Sequence, residues 1–108
     1  MTDENPYAGQ GPVLLDIGGR IGALVVAMPA ALEGTEIEIR PQEHRPGTGH
    51  HLPHVSVVAR PGAGGVRHTA VFPELEEGRY ELYQRPSGPV RLRVTVAGGT
   101  ISYADWPR

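Results

Sequence analysis

The chain has 108 residues, a net charge of −2 and no cysteine; 39% of its residues are hydrophobic, and it carries 15 glycines and 11 prolines. That length suits a single domain with one ordinary core, and the absence of cysteine excludes disulfides, thiolate metal sites and cysteine nucleophiles. All ten basic residues are arginine, which excludes Schiff-base chemistry, lysine general bases and lysine–asparagine isopeptide staples, and the small negative charge gives no electrostatic footprint for nucleic acid or an anionic membrane.

Residues 1–10 are polar, include Asp3 and Glu4, and lack the basic and apolar segments of a signal peptide. They read as a flexible tail ahead of one domain over residues 11–108, and the chain reads as cytoplasmic. Residues 11–17 (GPVLLDI) and 20–28 (RIGALVVAM) are apolar runs separated by Gly18-Gly19. Two glycines between such runs predict a tight hairpin, because both central positions take positive φ. The longest apolar stretch, residues 23–28, is far short of the roughly 18 residues that a membrane span needs. Residues 29–34 (PAALEG) form a loop with room for one short helical turn.

Residues 35–40 (TEIEIR) alternate, with Ile37 and Ile39 on one face and Glu36, Glu38 and Arg40 on the other. That is a half-buried strand. A long loop over residues 41–53 carries His44, His50 and His51. Residues 54–60 (HVSVVAR) and 66–72 (VRHTAVF) read as hairpin partners around the turn at 61–65. A turn at 73–78 (PELEEG) leads to the strand 79–84 (RYELYQ), which sends Tyr80 and Leu82 inward and Tyr83 outward. After a turn at 85–89, residues 90–96 (VRLRVTV) alternate with Val90, Leu92, Val94 and Val96 inward. Gly98-Gly99 predicts a second tight hairpin into residues 100–106 (TISYADW). No segment holds a 3.6-residue apolar period. The fold class is therefore all-β, a two-sheet antiparallel sandwich of seven or eight short strands, transthyretin- or Ig-like.

The stretch Ala70-Val71-Phe72-Pro73-Glu74-Leu75-Glu76-Glu77-Gly78-Arg79-Tyr80-Glu81-Leu82 resembles the F-x-x-L-x-x-G-x-Y-x-L segment of carboxypeptidase regulatory-like, transthyretin-type sandwiches. The resemblance implies a strand ending on Phe72, Leu75 tucked under the turn, Gly78 making the turn and Tyr80 starting the next strand. It implies a fold and no activity. Across most of its length the chain is also similar to small actinobacterial proteins that open with VLLDIGG-x-x-GALVV and end V-x-GG-x-x-x-x-x-W, here residues 13–26 and 96–106. Some of those carry a phospholipase label, which the residues here do not support. A secreted calcium phospholipase needs disulfides and a helical His–Asp pair.

The sharpest chemical feature is residues 43–54 (EHRPGTGHHLPH), with four of the five histidines inside eleven residues. Neutral imidazole is the commonest protein ligand for Zn²⁺, Ni²⁺ and Cu²⁺. A ligand set of His50, His51 and His54, completed by His44 or Glu43, defines a candidate metal site. The spacing lacks the fixed helical geometry of a zinc motif, and no paired carboxylate is evident to orient the imidazoles or act as a general base. Against it stands a plain solvated loop that takes up metal weakly. His68 is not expected to join the set. If Arg60 pairs with Val66, His68 falls opposite Val58 and His54 opposite Phe72, about 13 Å apart along the strands. It reads as a strand residue with an ordinary hydrogen bond.

Nucleophilic catalysis has little support. Ser56, Ser87 and Ser102 lie outside any G-x-S-x-G elbow, and Asp16, His54 and Ser56 assemble only on paper. Gly18-Gly19-Arg20-Ile21-Gly22 is no phosphate loop, since a strand follows it. Glu74, Glu76 and Glu77 are too few oxygens for calcium. The reading of the sequence is a non-enzymatic binding protein for a divalent transition metal through the histidine loop. Beside it stand a metal-independent interaction module, self-associating or partner-binding through sheet edges or a Tyr83/Trp106 surface, and, last, a small hydrolase.

Overall fold

The computed structural model describes Leu15, residues 17–43 and residues 52–107. The expectations for residues 1–10, for most of 11–17 and for His44, His50 and His51 fall outside the described residues. Among the described residues eight strands follow in chain order: β1 (Ile21–Ala27), β2 (Glu36–Pro41), β3 (His54–Ser56), β4 (Val58–Gly62), β5 (Gly65–Glu76), β6 (Gly78–Gln84), β7 (Val90–Val96) and β8 (Ile101–Asp105). A 3-10 turn, Ala30–Leu32, sits in the expected loop after β1. No helix among the described residues is long and apolar enough to cross a membrane.

The strands form two four-stranded sheets packed as a sandwich, sheet A in the order β4-β5-β1-β8 and sheet B in the order β3-β2-β6-β7. The predicted sandwich is therefore correct. Alternation places Leu24, Val26 and Phe72 of sheet A against Ile37, Ile39 and Leu82 of sheet B, all essentially without solvent contact. No buried side-chain nitrogen or oxygen among the described residues lacks a hydrogen-bond partner.

Both glycine pairs turn the chain, but neither makes the predicted hairpin along β1 or β7. Gly18 and Ile21 exchange backbone hydrogen bonds of 2.8 and 2.9 Å around Gly19, whose φ is +58°. Both edges of β1 are then taken by β5 and by β8. The chain at Gly98-Gly99 crosses from sheet B to sheet A, where β8 runs parallel to β1. The sandwich is thus not wholly antiparallel. The physical reason is close backbone packing. A Cβ on Gly98 would meet Arg20 Cα at 2.7 Å and overlap Gly19 O, and one on Gly22 would overlap Ala97 O. Across this contact Gly99 N donates to Ile21 O (2.9 Å) and Ala23 N to Thr100 O (3.1 Å). The glycines are there to let two backbones touch.

The predicted strand 54–60 is two strands. The chain changes sheets at Val57, which is buried, donates its N–H to Thr35 O and accepts from Gly34 N, both at 2.8 Å. β3 pairs with β2 in sheet B, and only β4 pairs with β5. The hairpin register is one residue from the expected one: Arg60 faces Arg67, Ala59 faces His68, and Gly62 faces Gly65. His54 is consequently opposite Glu38 and nowhere near Phe72.

β5 also runs beyond Phe72 to Glu76, where a turn was expected. Pro73 is accommodated because β5 bulges. Leu24 pairs with Phe72 and Gly22 with Leu75, so Pro73 and Glu74 together face Ala23. A bulge is where a strand tolerates a residue without an N–H. The chain crosses to sheet B at the β5–β6 corner, with Leu75 buried beneath it. Here Tyr80 is buried at the start of β6 and its hydroxyl donates to Glu76 O at 2.6 Å. A tyrosine bonded back across the corner to upstream backbone is a recurring lock of Ig-type sandwiches.

Two outcomes follow for stability. Gly98→Ala is expected to cost about 1–3 kcal/mol through forced backbone movement. Gly64→Ala, where a Cβ meets nothing within 4 Å, is expected to be near neutral, and urea melts of the two variants check the contrast. Tyr80→Phe strands Glu76 O and is expected to cost about 1 kcal/mol. Burial, and then the nearby Glu76 carboxylate, also raise the Tyr80 phenol above its ordinary 10.0. The folded chain therefore holds that proton more tightly than the unfolded chain. Its contribution is complete below pH 10 and declines as pH rises past it. Thermal melts across the alkaline range should show this decline in the wild type and a weaker one in Tyr80→Phe.

Candidate functional site

The histidine loop joins β2 to β3 at one end of sheet B. Pairing of Glu36 with Ser56, Ile37 with Val55 and Glu38 with His54 fixes the strands on either side of it. Alternation turns Val55 toward the core and leaves His54 and Ser56 on the outer face. Of the four predicted ligands only His54 lies among the described residues; His44, His50 and His51 do not. Glu43, the suggested completing ligand, lines a pocket of about 400 Å³ with Glu76, Glu77, Arg79 and Tyr80. It leans toward the β6 side of β2, whereas His54 is on the β3 side. Among the described residues no three His, Asp or Glu side chains converge in a way that could hold a metal ion.

His54 has the carboxylate partner that the sequence did not reveal. Its Nδ1 lies 3.3 Å from Glu36 Oε1, the same oxygen that accepts from Arg85 Nη1 at 3.0 Å. Glu36 is diagonal to His54 across the β2–β3 ladder, within reach of long side chains. A carboxylate only accepts, so its approach on this side suits a proton on Nδ1, the form that would leave the Nε2 lone pair available. Metal-binding imidazoles are commonly oriented by a carboxylate on the side away from the metal, the side on which Glu36 approaches His54. The signal in the sequence was the outward Glu36 of the TEIEIR run; what it lacked was the register of β3.

The ion pairs continue along the outer face of sheet B. Arg85 Nε reaches Glu38 at 3.6 Å, Arg40 Nε reaches Glu81 Oε1 at 3.1 Å, and Arg93 Nε reaches Glu81 Oε2 at 3.3 Å. Arg40 also lies 4.9 Å over the Tyr83 ring. Tyr83 does point to this outer face, as expected, but Arg40 covers it and it is buried. Burial and the Glu38 carboxylate push its phenol above the ordinary value, with Arg40 acting in the opposite direction.

Trp106 is buried as well. It joins the core cluster, donates its backbone N–H to Ala27 O at 2.9 Å, and has Arg91 stacked 5.8 Å from its ring. The expected Tyr83/Trp106 interaction surface therefore does not exist. Trp106 closes one end of the sandwich instead. Among the described residues the exposed aromatic is Tyr103, 74% accessible.

His68 is in sheet A, outside the loop cluster. Its Nε2 is 2.8 Å from Glu33 Oε1, which ties β5 to the segment following the 3-10 turn. That is the ordinary hydrogen bond expected of it. Ser56 stands beside His54 on β3, but Asp16, the third member of the paper triad, is not among the described residues.

No protein-family model, curated protein or solved structure matches this chain. The motif resemblances bring no activity to it.

Proposed function

We propose that this protein is a non-enzymatic binding protein that takes up a divalent transition metal, Zn²⁺, Ni²⁺ or Cu²⁺, at the loop end of sheet B. His54 is the anchoring ligand through Nε2, and His44, His50 and His51 of the adjoining loop complete the set. One observation carries the reading: the 3.3 Å approach of His54 Nδ1 to a carboxylate that Arg85 already holds. An imidazole oriented this way on a strand is a better ligand than one on a free loop, because less side-chain freedom is lost on binding. Its ladder partner Glu38 and the diagonal Glu36 add negative charge beside the cation, offset in part by Arg85. Three or four neutral imidazoles are a donor set that these three metals accept and that magnesium and calcium, which prefer oxygen, do not.

Calorimetric titration of the untagged chain with each metal tests the proposal. Saturable binding at integer stoichiometry is expected, abolished in His54→Ala and in the His50→Ala/His51→Ala double variant, with the fold retained in both. Glu36→Gln keeps the ligand but loses the charge that orients it, and is expected to weaken affinity about 10–100-fold. Weak, fractional uptake that is indifferent to His54 would reduce the loop to a plain connection between β2 and β3.

A further inference from the structure

The two outer faces of the sandwich differ in character. That of sheet B carries the ion pairs described above. That of sheet A is apolar through its middle: Val25 on β1 is flanked by Val71 on β5 and by Tyr103 on β8, with Ile101 beside them. Tyr103 (74% accessible) is its most exposed large side chain, and it lines a groove of about 620 Å³ together with Val25 and Ala27.

The four sheet edges differ too. A bare strand edge invites pairing unless a proline, a charge, a bulge or shortness discourages it. β3 is three residues long and follows Pro53. β4 carries Arg60 and Pro61. β7 carries Arg91 and Arg93, and its pairing with β6 is interrupted by a bulge. β8 has none of these before its last residue: Ile101, Ser102, Tyr103 and Ala104 are uncharged, regular in their pairing with β1, and without a strand partner on the other side among the described residues.

We infer that β8 is a self-association edge, at which a second copy of this chain adds its own β8 antiparallel and joins the two A sheets into one. The strand is complementary to itself. A two-fold axis at Tyr103, the middle residue of Ile101–Asp105, sets the two Tyr103 rings side by side. It places each Asp105 opposite an Ile101, so the two carboxylates stay at opposite ends of the joint. Aromatic cross-strand pairs are among the favoured ones. The net charge of −2 per chain gives two copies little to repel them. An edge pairing of this kind supplies main-chain hydrogen bonds, and the adjoining apolar face supplies area.

Sedimentation of the untagged full chain, with a chelator present so that histidine-bridged association is absent, tests this. The mass is expected to rise with concentration from 11.6 kDa to twice that value and to go no further. Tyr103→Arg is expected to stay monomeric with an unchanged circular dichroism spectrum, while Thr95→Arg on the β7 edge still dimerises. Hydrogen exchange on the wild type is a second reading that needs no variant: amides of β8 are expected to slow as concentration is raised, while those of β7 do not change. A monomer up to near-millimolar concentration overturns the inference, as does a dimer that persists in folded Tyr103→Arg. So does protection of the β8 amides that is already complete in the monomer, which would assign the edge to another part of the same chain.

Discussion

Two stretches of backbone, residues 19–22 and 97–100, meet with no side chain between them, and the layout of sheet A depends on that contact. Returning from sheet B, the chain can reach β1 only if nothing larger than hydrogen intervenes at Gly22 and Gly98. Once there, Gly99 and Thr100 hydrogen-bond to Ile21 and Ala23, and this starts β8 in parallel register beside β1. A parallel neighbour requires a crossover from the opposite end of the strand, and here six intervening strands make that crossover. The consequence along β8 is that Tyr103 is left on an edge and, just past the strand, Trp106 is delivered into the core.

Energetically the two outer faces play different parts. Exposed or half-exposed ion pairs contribute about 0–1 kcal/mol each, so the ladder from Glu36 to Arg93 is not what holds sheet B in place. Burial of Ile37, Ile39 and Leu82 does that. The ladder's effect is orientation. Glu81 and Glu38 are only 13% and 15% accessible, fixed between Arg40, Arg93 and Arg85, and Arg40 in turn closes over Tyr83. Glu36 is one end of the same row, and His54 Nδ1 approaches it at 3.3 Å. Sheet A has no such row through its middle; its outer face is left as surface that the core cannot use.

The strands were legible in the sequence because alternation is a local property. TEIEIR and VRLRVTV each declare which residues face inward, and the structure agrees for Ile37, Ile39 and Val96. The buried Tyr80 was legible for the same reason. Pairing was not, because it is decided by contacts between distant segments. Gly98-Gly99 looks the same in sequence whether it makes a hairpin or a close backbone approach. HVSVVAR looks like one strand because nothing in its composition marks Val57 as the residue that changes sheets. Tyr83 was assigned the correct face, yet its burial depends on Arg40, a residue on another strand. The candidate ligands show the same division. Histidine content named the loop, but the carboxylate behind His54 became visible only with the register of β2 and β3.

The topology also separates the two surfaces that remain in play. β7 touches β8, and β3 touches β5 and leads directly into β4. The β3 edge of sheet B and the β8 edge of sheet A are therefore on opposite flanks of the sandwich. Copies joined at β8 would carry their His54 positions on the outer flanks, so neither surface obstructs the other. Sites this far apart with no shared partner respond to substitution independently. Ligand binding at His54 and pairing at β8 can therefore be varied one at a time, and a linked response of the two would point to a coupling carried through β2, β6 and the core between them.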